Sequence, residues 1–211
     1  MSTLKKKIVF VAGIHGNEQV PVDALSRLGV PFIVGNPEAL SKHVRYIDED
    51  LNRVFGISGN TYERKRAEEI LESIPIDANV VDFHTASAVS KPFAIITNSY
   101  MMTFASIIGI RNVILFTESS QFISNSLIHK RMGIVIECGC HTEKNGVSKV
   151  IQKVLRNCKM GKKHVIKVYE VVCKNTNQSV SEDFRKTNDG LYPILSGARN
   201  HTGGYLARLI T

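Results

Sequence analysis

Apolar positions fall into short continuous runs between polar loops, and into longer stretches where they recur three and four residues apart. Ile8-Val-Phe-Val-Ala12, closed by Gly13, is short and β-branched and predicts a buried strand. After a loop, Pro21 opens a predicted helix with an apolar stripe of Val22, Leu25 and Leu28, stopped at Gly29. Phe32-Ile-Val34 reads as a second strand, broken by Gly35-Asn36-Pro37. From Tyr62 to Ser73 the helical spacing of Ala67, Ile70 and Leu71, continued by Ile74, predicts another helix. Asn79–Phe83 and Gly133–Glu137 are predicted central strands, and Phe93–Thr97 is a further candidate. The uncharged stretch from Pro92 to Ile110 contains Thr97, Asn98, Ser99, Thr103 and Ser106, so it reads as a strand and a buried helix rather than a membrane span.

Helices and strands alternate, which predicts an α/β fold. From His164 the pattern becomes extended, over His164–Cys173, Leu191–Leu195 and Tyr205–Ile210. The expected organisation is therefore a main domain over residues 1–160 and a small β-rich region over 161–211. A chain of 211 residues with 43% hydrophobic and 22% charged residues can bury one full core. The basic start is followed by a strand-like run without a small-residue cleavage site, and the four cysteines form no CxxC pair. Both features predict a reducing cytoplasm.

The net charge of +8 raises the question of nucleic acid. Its late cluster, Lys149, Lys153, Arg156, Lys159, Lys162, Lys163 and Lys167, comes with no RNP-type motif or helix-turn-helix. A solvated basic face is the simpler reading, with steering of an anionic substrate as a second use. Neither nucleic acid nor membrane is an expected partner.

Three predicted strands end at residues suited to metal or acid–base work: His15 beyond the first, His84 after Phe83, and Glu137. Ligands in open α/β sheets collect at the carboxyl ends of strands, so residues distant in sequence can meet there. His15 and Glu18 lie three apart on a turn that Gly16 can bend. With His84 they would form a His, Glu, His set that leaves a coordination position for water. Asp82, two residues before His84, would share its strand face and could orient a ligating imidazole. Glu137 in an apolar strand must be paired, protonated or chemically active, because an isolated buried carboxylate is costly. Arg45 to Phe55 holds Arg45, Asn52 and Arg53, groups suited to binding a carboxylate, although Asp48, Glu49 and Asp50 could equally pair with those arginines locally.

Gly13-Ile-His-Gly-Asn-Glu18, Gly35-Asn-Pro37, Arg45 to Phe55, Asp82-Phe-His-Thr-Ala86 and Ile136-Glu-Cys-Gly139 together resemble the succinylglutamate desuccinylase and aspartoacylase family, a branch of the zinc carboxypeptidase superfamily. The resemblance covers residues 8 to 140 well. It implies a mixed central sheet flanked by helices and a zinc-dependent hydrolase that cleaves the amide of a small anionic N-acyl amino acid. By the same resemblance His15, Glu18 and His84 would hold one zinc and Glu137 would be the general acid–base. Arg45 would act on the scissile carbonyl, and Asn52 with Arg53 would hold a carboxylate. Tyr205 would match a substrate-contacting tyrosine. Thr85-Ala86 looks like the desuccinylases, but Ser87 and Ala88 stand where those enzymes carry an arginine, and Lys130 and Arg131 are the nearest cations before Glu137. The length implies a reduced C-terminal region.

Two other readings compete: a zinc carboxypeptidase acting on peptides, and a non-enzymatic binding module using the basic face. A homodimer is allowed by the sequence but not specified by it.

Overall fold

The computed structural model of the protein describes residues 6–87, 91–117, 125–174, 183–194 and 204–211. Its centre is a nine-stranded mixed sheet. The strands are β1 (Ile8–Ala12), β2 (Ile33–Val34), β3 (Asn79–Ala86), β4 (Phe93–Ile96), β5 (Asn112–Leu115), β6 (Gly133–Cys140), β7 (Lys167–Lys174), β8 (Tyr192–Ile194) and β9 (Tyr205–Leu209). They lie in the order β2-β1-β3-β6-β4-β5-β7-β9-β8. The first four are mutually parallel, and direction reverses between β6 and β4. The expected α/β class with a mixed sheet flanked by helices is the architecture found.

The helices are α1 (Gln19–Arg27), α2 (Pro37–Lys42), α3 (Tyr62–Ser73), α4 (Met102–Ile108), α5 (Leu127–Lys130) and α6 (Lys144–Met160). Period-two alternation in the central strands divides the core. Val81 and Phe83 of β3 and Ile134, Ile136 and Cys138 of β6 join one buried cluster with α1, α4 and α6. Val80 joins Val11, Leu51, Phe55 and the Ala67 and Ile70 stripe of α3 on the opposite face. Asp82 and His84 follow Val80 at steps of two, so they emerge on the α3 face, near the carboxyl end of β3.

Several predicted boundaries match, including β1 and α3. The first helix begins at Gln19 rather than Pro21, which places Pro21 in the first turn, where no intrahelical N–H bond is lost. Four elements were not anticipated: α2, β5, α5 and the 17-residue α6. Val147, Ile151 and Val154 form the buried stripe of α6, while Lys149, Lys153, Arg156 and Lys159 lie exposed along it. The uncharged stretch after Pro92 is β4 and α4, as expected, and among the described residues no helix is long and apolar enough to cross a membrane. Beyond residue 160, β7 pairs with β5 and carries β9 and β8 in the same sheet. Ala88 and Leu195 lie outside the described residues.

Candidate metal centre and active site

Close backbone packing brings the first two strand ends together. Gly35 donates its N–H to the Ala12 carbonyl at 2.8 Å, and a Cβ on it would lie 2.6 Å from the Ile14 Cα. Asn36 caps α2 by accepting from the Ala39 N–H at 3.0 Å, and Pro37 occupies the first helical position. Gly16 then presses directly on α2: a Cβ there would fall 2.1 Å from the Ala39 carbonyl carbon. The spacing of these glycines and of Asn36-Pro37 is thus a packing requirement that fixes the loop carrying His15 and Glu18.

That loop meets β3. His15, Glu18 and His84 are all buried, and each offers a ligand atom within 4.8 Å of the others. His15 Nδ1 lies 2.7 Å from Glu18 Oε1, and His84 Nδ1 lies 3.3 Å from Glu18 Oε2. The Thr85 N–H also donates to Glu18 Oε2, at 2.8 Å. Each imidazole therefore turns Nδ1 inward, and each outward nitrogen meets a carboxylate. His84 Nε2 is 2.8 Å from Asp82 Oδ2, and His15 Nε2 is 3.2 Å from Asp50 Oδ1. Such outer partners fix ring orientation and raise ligand basicity. The role expected of Asp82 has its geometry here; the part of Asp50 was missed, because nothing in local spacing relates it to His15.

Burial opposes protonation of His84, but the Asp82 and Glu18 carboxylates outweigh it and hold the imidazole well above its usual pKa. For His15 burial again opposes, and Glu18 and Asp50 prevail, so its pKa is also raised. The Glu18 and Asp50 carboxyls would be raised by burial alone; His84 and His15 at Glu18, and His15 with Arg45 at Asp50, bring both far below the ordinary range.

Glu137 stands directly across from His84 in the β3–β6 register and on the same sheet face. Its Oε2 is enclosed without a hydrogen-bond partner among the described residues. Burial, reinforced by the Glu18 and Asp82 charges against the pull of the histidines, pushes its carboxyl up to about 7. A group so placed can hold or release a proton near neutrality.

The loop between α2 and α3 supplies the cationic side. Arg45 grips Asp50 Oδ2 through Nη2 at 2.9 Å and Nε at 3.3 Å. Asp50 Oδ1 also caps the short 3-10 turn Leu51–Arg53 by accepting from the Asn52 N–H at 2.9 Å. The local pairing of acid with arginine therefore occurs, but only between Asp50 and Arg45; Glu49 instead binds Arg64, at 2.7 Å. Asn52 Oδ1 accepts from the Leu127 N–H at 3.1 Å, which leaves its Nδ2 as the group free to donate. Arg53 is exposed, and one of its donors meets the Asn52 carbonyl at 2.9 Å. Tyr205 on β9 is buried edge-on against Phe116; burial raises its pKa, and the Arg53 charge acts the other way, so the two side chains are electrostatic neighbours. Arg131 donates to the Leu71 carbonyl at 2.7 Å, at the far end of α3.

Residues 5–168 match the family described as the succinylglutamate desuccinylase/aspartoacylase catalytic domain. A "Probable aspartoacylase" of Prochlorococcus marinus (strain MIT 9301) is 36% identical over 106 residues, covering 39% of this chain and 35% of that protein. A succinylglutamate desuccinylase of Pseudoalteromonas atlantica is 34% identical over 89 residues, covering 33% of this chain and 25% of that one. The matched stretches thus span about a third or less of these curated relatives. Among solved structures, murine aminoacylase 3 superposes with a TM-score of 0.69 at 16% identity, over 97% of this chain and 94% of the other. The succinylglutamate desuccinylase of Chromobacterium violaceum gives 0.67 at 16% identity, over 98% and 85%. At these identities the likeness is one of fold.

Proposed function

The chain belongs to the succinylglutamate desuccinylase/aspartoacylase catalytic-domain family, and from that membership we propose that it is a zinc-dependent hydrolase cleaving the amide of an N-acyl amino acid. The observation that carries the reading is the buried His15, Glu18, His84 cluster with Glu137 directly across from His84. Two imidazoles and a carboxylate, with a carboxylate behind each imidazole, suit a catalytic zinc that keeps one position open. His15, Glu18 and His84 would hold the zinc, which when bound would supply Lewis acidity toward a water and the scissile carbonyl.

The chain's own groups do the rest. Glu137, poised near neutrality, takes a proton from the attacking water and returns it to the departing nitrogen. Arg45, held by Asp50 beside His15, meets negative charge developing on the carbonyl oxygen. Asn52 Nδ2 and Arg53 hold a substrate carboxylate, with Tyr205 beside Arg53. The proposed substrate is accordingly a small anion, and a positive net charge adds attraction at long range. Four free cysteines are compatible with the cytoplasmic location proposed for the enzyme.

The test uses protein stripped of metal and then restored with zinc, given N-acetylaspartate, N-succinylglutamate and small unmodified peptides. Zinc-dependent release of the free amino acid from an N-acyl compound is the expected result. Cleavage of peptides alone would move the enzyme to the carboxypeptidases, and activity indifferent to zinc would overturn the metal assignment.

A further inference from the structure

The segment carrying Arg45, Asp50, Asn52 and Arg53 contains no strand, and its sole regular element is one 3-10 turn. Its order comes from elsewhere. Glu63, in the first turn of α3, is fully buried, and both its oxygens are used by this segment. Oε1 accepts from the Ile47 N–H at 2.7 Å and from Asn36 Nδ2 at 2.9 Å. Oε2 accepts from the Asp48 N–H at 3.0 Å and the Glu49 N–H at 3.3 Å. Three successive backbone donors thus converge on one carboxylate, an anion-binding concavity filled by the protein's own side chain. The binding is reciprocal: Asp48 Oδ2 accepts from the Tyr62 N–H at 2.9 Å, and Glu49 takes Arg64 and Thr61.

The fourth partner joins the other half of the site. Asn36 caps α2, and Gly16, next to His15, is packed against the backbone of α2. The Gly16 N–H further donates to the Arg45 carbonyl at 3.1 Å. A single carboxylate therefore ties the loop of His15 and Glu18 to the loop of Arg45 and Asp50. We propose that Glu63 is a positioning residue, which sets where the Arg45–Asp50 pair stands relative to His15. The inference rests on the proposed hydrolase reading for its consequence in turnover, but not for its structural content.

Glu63→Gln tests it, since an amide offers one acceptor oxygen and turns an NH2 toward backbone donors. Amide hydrogen exchange at residues 47–49 should speed at least about 10-fold, with β1, β3 and β6 unchanged, as expected of a local opening. In turnover of whichever N-acyl probe wild type cleaves, kcat should fall on the order of 10²-fold, as for a misplaced group, with KM less affected. Combined with Arg45→Lys, the losses should be strongly non-additive, because both act on the same guanidinium. Additive losses would show that Glu63 is merely structural, and unchanged exchange at 47–49 would overturn the proposal. If wild type cleaves no N-acyl probe, the hydrolase reading fails on its own, and exchange still decides whether Glu63 orders residues 47–49. Should the Gln variant fail to fold, Glu63→Asp keeps the charge but withdraws it by one methylene, and the same changes at smaller size are expected.

Discussion

Asp82 offers the sharpest test of the proposed zinc site. It is fully buried; His84 meets Oδ2, and Oδ1 has no partner among the described residues. Asp82→Asn keeps the shape and can still accept a hydrogen bond, so the fold should persist while the charge behind His84 is lost. Outer partners of ligating histidines are typically worth about 10–100-fold in metal affinity, or roughly 1.4–2.7 kcal/mol. The size of the deficit should depend on pH, and the sign follows from the metal-free state. Asp82 and Glu18 hold the His84 pKa well above its ordinary value, so zinc must displace a proton that is held tightly. Apparent affinity of the wild type should therefore fall as pH drops below that raised pKa. Removing the Asp82 charge lowers the pKa and eases this competition. The variant should bind zinc most weakly relative to wild type at high pH, and the gap should narrow on acidification. Competition with a colorimetric chelator across pH 6 to 9 measures both curves; Glu38→Gln, a change at an exposed carboxylate on α2, serves as control. A gap that stays constant or widens toward low pH would refute the argument, and no gap at any pH would remove Asp82 from the metal centre.

Other consequences are more direct. Glu137→Gln should retain zinc and fold but lose about 10²–10⁴-fold in kcat, the usual worth of a general acid–base group; near-wild-type turnover at full zinc content would make Glu137 structural. Arg53→Lys should raise KM for the acid substrate more than for its methyl ester, because an ammonium cannot reproduce a bidentate fork, whereas Arg45→Lys should act mainly on kcat. Equal responses of the two variants in steady-state kinetics would dissolve that division of labour. Gly16→Ala drives a Cβ onto the backbone of Ala39 and Leu40, at a cost of about 1–3 kcal/mol for overpacking; an unchanged Tm would show that the loop can shift freely.

The sequence made the inward half of this site legible because each residue there ends a recognisable strand or sits in a compact motif. His84 and Asp82 could be related from one strand's period, and the structure gives them that relation. Asp50 and Glu63 could not be found in this way. Asp50 reaches His15 from 35 positions away, across a loop whose path no periodicity encodes. Glu63 looked like one more acid on a charged helix; what distinguishes it is that it alone faces inward from the first turn of α3, toward backbone donors that carry no side-chain signature. The long helix α6 was within reach of the pattern: Val147, Ile151 and Val154, with Val150, Leu155 and Cys158 packed beside them, form a broad helical face, but the lysines along it drew the reading to charge. Local pattern thus reports the residues that face a ligand or a core, while the groups that aim them bond mainly to backbone and to residues remote in sequence. It follows that a substitution at Glu63, which lies outside every stretch that carries the family resemblance, should leave those motifs intact and still displace Arg45. A chain of this kind can therefore match its family along residues 5–168 and yet turn over poorly, if Glu63 is altered.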